Sequence, residues 1–470
     1  MRTSSQKKKV LIITPAFPPA IGSAVRRIVG FVKYLPELGW DPYVLTPLPG
    51  PYRAPGSKAG PVANLPSHRI IRTPFFDIRF AGRKLLSGAT KKKISQSASM
   101  PELSNITAPR LGNLVWALAN TFVFVPDPDI GWFPFGVRAG LSAIKRNNID
   151  VILSSAPPFT THLIALRLNR LTGKPWVADF RDPWSQSPYL AEAPLWAIRR
   201  PVDRFLERRV MKNADAIIGV SRSMVETFAQ LKVKGIERKL HAITNGFDPD
   251  DFAMEPPNPS GTFTIAYTGS FIGEARSPVP FLTALADLIE NGSLPRDRVR
   301  VRIIERYSQQ TDRLARKYGL SDVVTVQVGL SHSETVREQM SASVLLFIVR
   351  GDSSGLGEYT GKLFEYLGAR RTILALAPKQ GVAAQLIREA DAGTVVDPAN
   401  RQEIKDAILN YYREHDRTGS IAYHGRDNVI RRFQRPTLTR QLAAILDGVL
   451  STGADRPSRP ASASICGLVL

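Results

Sequence analysis

The residues best suited to chemistry lie late in the chain, in the glycine-rich stretch GEYTGKLFEYLGARRTILAL at 357–376. An apolar run at 344–349 precedes it, so we expect a buried strand, a loop of small residues and a helix that begins at Gly361–Lys362. A helix start presents free backbone N–H groups and the positive end of the helix dipole, to which anions bind. Lys362 adds a positive charge that a helix start does not favour by itself, and Glu365 has two oxygens that can accept hydrogen bonds from a diol such as a ribose. The pattern indicates a nucleotide-diphosphate site; the alternative is a surface ion pair between Lys362 and Glu365.

This segment resembles the donor-binding segment of retaining glycosyltransferases with the GT-B fold, of the family 4 type that includes bacterial enzymes of cell-surface glycan synthesis. In that family two glutamates separated by seven residues bracket the loop and the helix. Glu365 matches the second glutamate, whereas the first position falls on Gly357 and Glu358 lies one residue late. The resemblance implies a catalytic contact of Glu358 with the transferred sugar. It also implies donor-binding roles for Thr360, Gly361, Lys362, Leu363 and Glu365.

A second loop, at 266–278, matches the same family. Gly269 allows a tight turn after the first strand of the predicted second domain. The family carries an arginine directly after this glycine and a basic residue six positions further. Here Ser270 stands in the first position and Arg276 in the second, so the resemblance places Gly269, Ser270 and Arg276 at the donor diphosphate. The alternative for Arg276 is an ordinary solvated loop arginine.

The first strand–loop–helix of the chain, at 15–27, supplies a further pair. Gly22 and Ser23 match the small residues that, in the family, let the sugar and diphosphate lie against a helix start. The chain contains neither G-x-G-x-x-G nor the Walker pattern, which disfavours a dinucleotide or P-loop site.

The segment VADFRDPW, at 177–184, ends a predicted strand in a cluster of charged residues. Members of the family commonly hold a histidine near this place, and the matching position is Arg181. The resemblance therefore implies catalytic roles for Arg181 and Asp182, while a structural network of Asp179, Arg181 and Asp182 is the alternative. His162 is interpreted as a histidine on a helix face.

The resemblance also implies the reaction. The sugar of a nucleotide-diphosphate donor is transferred with retention of configuration, and the departing phosphate accepts the proton of the acceptor, so no protein base is required. Neither a metal nor another cofactor is expected. Six histidines and one cysteine, without H-x-x-x-H or C-x-x-C, argue against a zinc site, and no G-x-S-x-G is present.

The elements that would position these residues alternate between short apolar runs and helical patterns, as in parallel doubly wound sheets. The resemblance covers most of residues 8–450 and is strongest at 263–380. It predicts the GT-B architecture, in which two Rossmann-like α/β domains face a cleft. The predicted segments are an N-terminal acceptor-side domain (1–250), a linker (251–261), a donor domain (262–430), a helix that crosses back to the N-terminal domain (431–450) and a disordered tail (451–470).

Length and composition agree with a globular protein. A chain of 470 residues with 43% hydrophobic and 22% charged residues suits two domains of about two hundred residues each. The apolar run near the N-terminus is too short for a signal peptide, and no run approaches the length of a membrane-spanning helix. The sequence therefore predicts a cytoplasmic protein, soluble or peripheral at the inner face of the cell membrane.

The positive charge is concentrated in the first half of the chain. Of the net charge of +22, residues 1–250 carry +19, from 36 basic and 17 acidic residues, and 51–100 hold 10 basic residues and 1 acidic residue. A one-sided basic surface indicates a polyanionic partner. We expect an anionic membrane to be bound by the following basic and aromatic side chains: Arg79, Arg83, Lys84, Lys91, Lys92, Lys93, Trp116, Phe122 and Phe124. The alternative is that 79–93 is a solvated loop and 111–125 a buried helix.

The sequence thus predicts a glycosyltransferase that uses a nucleotide-diphosphate sugar and a glycan or lipid-linked saccharide as acceptor. A nucleotide-sugar epimerase of the same fold is the alternative within the enzymes. A basic nucleic-acid-binding protein is the alternative from another class, but its expected motifs and stacking residues are not found.

Overall fold

The structure is a computed structural model, and it describes residues 7–49, 65–76, 124–186, 196–255, 261–271, 276–305, 310–351, 353–357 and 359–454. These residues form two compact units. The first contains the described residues up to Thr244 and again from Thr439, and the second contains Asn245–Leu438. Each unit has its own parallel sheet, which confirms the predicted α/β class.

The first unit is built on seven parallel strands in the order β3-β2-β1-β4-β5-β6-β7. Its strands are β1 (Lys8–Ile13), β2 (Trp40–Pro47), β3 (Ile70–Thr73), β4 (Val151–Ala156), β5 (Trp176–Phe180), β6 (Ala216–Gly219) and β7 (Leu240–Ala242). Its complete helices are α1 (Ser23–Tyr34), α2 (Phe133–Asn147), α3 (Thr160–Thr172), α4 (Trp196–Asn213) and α5 (Arg222–Ala229). Strands β4, β5 and β6 are buried along their whole length, because helices cover both faces of the sheet.

The second unit has six parallel strands in the order β10-β9-β8-β11-β12-β13. Its strands are β8 (Phe263–Thr268), β9 (Val299–Glu305), β10 (Val324–Val328), β11 (Val344–Ile348), β12 (Thr372–Leu376) and β13 (Gly393–Val396). Its helices are α6 (Val279–Glu290), α7 (Gln310–Lys317), α8 (His332–Ser341), α9 (Gly361–Ala369), α10 (Val382–Glu389), α11 (Arg401–Thr418) and α12 (Asp427–Ile430).

The last helix, α13 (Arg435–Ala454), begins in the second unit, and its residues from Thr439 onward belong to the first. There Asp447 accepts hydrogen bonds from Lys8 and from Trp40 Nε1, the latter at 3.1 Å. These contacts attach the end of the helix to the first two strands of the chain.

The segment from Asn245 onward, which includes the start of the predicted linker at 251, is folded within the second unit. It contains a short 3-10 helix, Pro249–Phe252. The rings of Phe247 and Phe252 pack edge to face, 5.7 Å apart, and both crowd Gly368, at which a Cβ would lie 2.7 Å from each ring. The aromatic side chains therefore tie this segment to α9.

Most of the predicted membrane surface lies outside the described residues. This holds for Arg79, Arg83, Lys84, Lys91, Lys92, Lys93, Trp116 and Phe122. Phe124 is described and is buried, so its predicted role as an interfacial anchor is wrong. Among the described residues, no helix is both long and apolar enough to cross a membrane.

Candidate functional site

The two central strands of the second sheet end at a topological switch point. β8 and β11 are neighbours and pair at Val344 with Ile265. The chain leaves β8 towards β9 on one side and leaves β11 towards β12 on the other. In open α/β sheets, ligands bind outside the carboxyl ends of the strands at such a point.

Two residues predicted at the donor diphosphate meet at this point. Gly269 directly follows β8 with φ +122°, and Lys362 lies in the first turn of α9, the helix that follows β11. A Cβ on residue 269 would lie 2.8 Å from Lys362 Nζ and 2.9 Å from its Cε. The backbone angle therefore favours glycine at 269, and any Cβ at this position would displace the end of the lysine.

An aromatic pair holds the ammonium group of Lys362. Its Nζ lies 3.8 Å from the ring centroid of Tyr267, which is close enough for a cation–π interaction. Tyr267 stacks on Phe271 at 4.2 Å and donates a hydrogen bond from Oη to the carbonyl of Ser270 at 3.2 Å. Ser270 thus helps to fix the loop through its backbone, and the lysine carries a localised positive charge at the end of the sheet.

The start of α9 adds the helix dipole to this charge. The helix begins at Gly361, as the sequence predicts, and no side chain caps its N-terminus. Thr360 Oγ1 is buried and forms no hydrogen bond with a described residue. Leu363 is fully buried in the core, and its N–H bonds to the Thr360 carbonyl at 3.1 Å. The side chain of Leu363 is therefore not placed to contact a ligand.

Glu365 is more buried than we expect for a carboxylate that binds a ribose in an open site. It is 8% exposed, and Gln339 Nε2 lies 3.5 Å from its Oε2. The same Nε2 donates to Thr268 Oγ1 at 3.0 Å, and the Thr268 N–H donates to Tyr366 Oη at 2.9 Å. Glu365 therefore borders a polar network that joins α8, α9 and the end of β8. Gln339 was not predicted from the sequence; it lies on the buried face of α8 beside Val336 and Met340.

The two remaining donor-site predictions differ in what the structure describes. Arg276 is buried, just before α6, which excludes the alternative of a solvated loop arginine. Glu358 lies outside the described residues.

In the first unit, Gly22 and Ser23 occupy the start of α1. Gly22 has φ +127° and accepts a hydrogen bond from the Arg26 N–H at 3.1 Å, and Ser23 is exposed. α1 follows β1, whose neighbour β4 leads to the opposite side of the sheet. This pair therefore lies beside the switch point of the first sheet.

Asp179 forms a buried ion pair with Arg27, a partner that the sequence analysis missed. Arg27 Nε and Nη2 donate to the two carboxylate oxygens at 3.1 and 2.7 Å, and Ser155 Oγ donates at 2.7 Å. Arg27 also donates to the carbonyls of Ile243 and Thr244. Burial alone would raise the pKa of Asp179, but the charge and hydrogen bonds of Arg27 outweigh it and hold this pKa below its usual value. The pair links α1, β5 and the last residues before the chain leaves the first unit at Thr244.

Arg181 and Asp182, both predicted to be catalytic, have different surroundings. Arg181 donates from its backbone N–H to the Ala156 carbonyl at 2.8 Å and from Nη2 to the Pro157 carbonyl. Burial lowers the pKa of Arg181 to about 10, against the opposing effect of Asp179, so the side chain stays protonated near neutral pH. Asp182 is exposed. Partial burial of its carboxyl raises the pKa of Asp182, against the opposing charge of Arg181.

His162 is a core residue. It is fully buried, packs 4.3 Å from the ring of Phe180, and shares a 2.8 Å hydrogen bond between Nδ1 and Ser154 Oγ. Its Nε2 forms no hydrogen bond with any described residue. Burial lowers the pKa of His162 to about 3, so the ring is neutral at physiological pH. The interpretation as an ordinary helix histidine agrees with this position.

A second group of buried carboxylates lies on α4. Asp203 and Glu207 are fully buried. Trp184 Nε1 donates to Asp203 at 3.2 Å, and Ser185 Oγ donates to Glu207. Burial raises the pKa of Glu207 to about 7. The sequence analysis did not identify this group, because acidic residues of a helix are expected at its solvent face.

Comparison with known proteins adds to this picture. The family profile described as Glycosyltransferase Family 4 matches residues 108–251. No curated protein sequence matches the chain.

Solved structures resemble the chain over almost its whole length. A sucrose-phosphate synthase from Thermosynechococcus elongatus is 14% identical, with a TM-score of 0.63 over 95% of this chain and 100% of the other. A glycosyltransferase from Rickettsia africae is 14% identical, with a TM-score of 0.58 over 95% and 99%. The lipopolysaccharide outer core galactosyltransferase WaaB is 12% identical, with a TM-score of 0.52 over 94% and 99%.

At these identities the structural matches establish the fold, which is that of GT-B glycosyltransferases. The family 4 profile adds a resemblance in sequence to glycosyltransferases over residues 108–251.

Proposed function

We propose that the protein is a retaining glycosyltransferase that moves a sugar from a nucleotide-diphosphate donor to a glycan or lipid-linked acceptor. The observation that carries the proposal is the meeting of Lys362 with Gly269 at the switch point of the second sheet, 2.8 Å from the Cβ position. A fixed ammonium beside a helix start is an arrangement suited to a diphosphate.

The proposed chemistry needs stabilisation of the leaving group above all. As the bond between the sugar C1 and the phosphate oxygen breaks, negative charge develops on the diphosphate. Lys362 and the N-terminus of α9 stabilise that charge in place, and buried Arg276 extends the positive field before α6. The acceptor hydroxyl forms the new bond to C1 on the face that the phosphate leaves, and its proton passes to the departing phosphate. In this proposal no metal takes part.

Each unit by itself supplies further proposed contacts. In the second unit, Glu365 binds the donor diol, and Glu358 contacts the transferred sugar. In the first unit, Gly22 and Ser23 offer a helix start, and exposed Asp182 beside Arg181 offers polar contacts for a sugar. We place the reaction in the cytoplasm, at the inner face of the membrane when the acceptor is lipid-linked.

A thermal-shift panel of nucleoside diphosphates and their sugars tests the proposal. A donor present at a hundred times its Kd stabilises the folded state by about 2.7 kcal/mol, which corresponds to a Tm increase of roughly 5–10 °C. We expect the nucleoside diphosphate and sugar donors of one particular base to give this Tm increase. The Lys362→Ala variant should lose most of the increase. Lys379→Ala is the matched control, because Lys379 is an exposed lysine of the same unit that pairs with Glu403 at 2.8 Å. The proposal is wrong if no nucleoside diphosphate or its sugar stabilises the protein.

A further inference from the structure

Helix α4 presents the opposite of the usual surface pattern. Its carboxylates Asp203 and Glu207 are fully buried, whereas Ile198, Val202 and Phe205 are 56, 40 and 54% exposed. A helix on the surface of a soluble protein normally buries its apolar side chains and exposes its charges. The outer face of α4 is therefore apolar where water would favour polar groups.

The exposed apolar residues form one stripe. Ile198, Val202 and Phe205 follow one another at spacings of four and three residues, so they share a face of the helix. The stripe is not an effect of a loosely held helix. Arg199 Nε and Trp184 Nε1 fix Asp203 at 2.9 and 3.2 Å on the inner side.

Basic side chains surround this stripe. Arg204, Arg208 and Lys212 are exposed, and no carboxylate of the described residues pairs with any of them. The guanidinium of Arg209 lies 5.9 Å from the ring centroid of Phe205. The face thus combines apolar side chains with uncompensated positive charge, which is the composition of helices that lie in the interface of an anionic bilayer.

We propose that the outer face of α4, formed by Ile198, Val202, Phe205, Arg204, Arg208 and Lys212, binds the surface of an anionic lipid bilayer. The apolar stripe enters the headgroup region while the basic residues contact lipid phosphates. This inference deepens the proposed function and rests on it in one respect: a lipid-linked acceptor would be the reason for the enzyme to bind a membrane. Binding itself requires no glycosyl transfer.

Vesicle co-sedimentation of the full chain tests this proposal. The probes are vesicles of phosphatidylcholine with 30 mol% phosphatidylglycerol, chosen as about one-third anionic lipid, and vesicles of phosphatidylcholine alone. Three triple variants are compared with the wild type. The first removes the apolar stripe (Ile198→Ser, Val202→Ser, Phe205→Ser), the second removes the charge (Arg204→Gln, Arg208→Gln, Lys212→Gln), and the control removes three exposed charges from α2 of the same unit (Arg138→Gln, Lys145→Gln, Arg146→Gln).

We expect the wild type to bind the anionic vesicles only. The charge variant should bind at least roughly tenfold more weakly, since each basic residue near such a surface contributes up to about a factor of five to ten. The stripe variant should also bind at least roughly tenfold more weakly, because its apolar side chains no longer enter the headgroup region. The α2 control should bind like the wild type. All changed residues are exposed, so we expect the variants to fold like the wild type. Circular dichroism and thermal unfolding check this.

Four results would overturn the proposal: no binding by the wild type, undiminished binding by the stripe variant, equal loss in the α2 control, or binding to a DNA or RNA duplex in place of vesicles. Sedimentation velocity adds a fifth, a dimer that the stripe variant abolishes, which would assign this face to a second copy of the chain. Nucleoside-diphosphate thermal shifts on the same proteins keep the two proposals apart, because donor binding can fail while vesicle binding persists, and the reverse.

Discussion

Replacing Gly269 with alanine tests the donor site at the contact on which it depends. The new Cβ would lie 2.8 Å from Lys362 Nζ, whereas ordinary contact is 3.4–4 Å. The ammonium must therefore retreat by about 0.6–1.2 Å from the position it holds over Tyr267. The end of a lysine is flexible, so the retreat itself costs little stability, and the loss of unfolding free energy, about 1–3 kcal/mol, comes from φ +122°.

Ligand affinity is the more sensitive measure of this substitution. A displaced ammonium loses a charge-assisted contact worth about 1.5–3 kcal/mol, so we expect calorimetric titration with the stabilising nucleoside diphosphate to show roughly 10–150-fold weaker binding. Gly292→Ala is the matched control, because Gly292 also has a positive φ, +74°, but nothing lies within 4 Å of its Cβ position.

Equal affinity of the Gly269→Ala variant and the wild type would refute the reasoning, and so would an equal weakening by Gly292→Ala. A double variant gives a second check. In a Lys362→Ala background the alanine at 269 meets no lysine end, so the two substitutions should be non-additive in binding.

Three further outcomes follow from the buried polar groups. The pKa of Glu207 is raised to about 7 in the folded protein, so the free energy of unfolding should fall as pH rises from about 4.5 to 7, by about 3 kcal/mol in all. Denaturant titrations of Glu207→Gln should lack this fall. A pH profile identical to that of the wild type would contradict the prediction. Arg27→Met leaves Asp179 buried without its cation and should cost about 3–5 kcal/mol of unfolding free energy, part of which Asp179→Leu in the same chain should restore; a loss under 1 kcal/mol would speak against the pair. Glu365→Gln should weaken donor binding by roughly tenfold, and a drop in stability with unchanged affinity would make Glu365 a structural residue only.

The parallel strands of both units follow from features visible in the sequence. Runs such as VLII and VLLFI are continuous and apolar because parallel strands are covered on both faces, and helical patterns separate them. The helix start at Gly361 was also predictable, because small residues precede an amphipathic stretch.

The polar contacts of the core were not predictable, since they join residues far apart in the chain. Arg27 and Asp179 are separated by 152 residues, and nothing local marks Arg27 as buried. A structural network of Asp179 with Arg181 was one of two alternatives, but the hydrogen bonds of Asp179 go to Arg27 and Ser155. Buried pairs of this kind are set by tertiary packing, which a single sequence does not display.

The burial of side chains on helix α4 was not predictable from the sequence either. An acidic residue such as Glu207 is read as solvent-facing and a phenylalanine such as Phe205 as buried, and the structure reverses both. The membrane surface was sought in 79–93 and 111–125 for their basic and apolar composition, whereas the described residues place an apolar and basic face on α4.

The most direct test of the account is a calorimetric titration of the wild type, Lys362→Ala and Lys379→Ala with the nucleoside diphosphate that stabilises the protein most. We predict one site per chain in the wild type, roughly 10–150-fold weaker binding in Lys362→Ala, and unchanged binding in Lys379→Ala. Wild-type affinity in Lys362→Ala would contradict the claim that the diphosphate lies at the switch point of the second sheet.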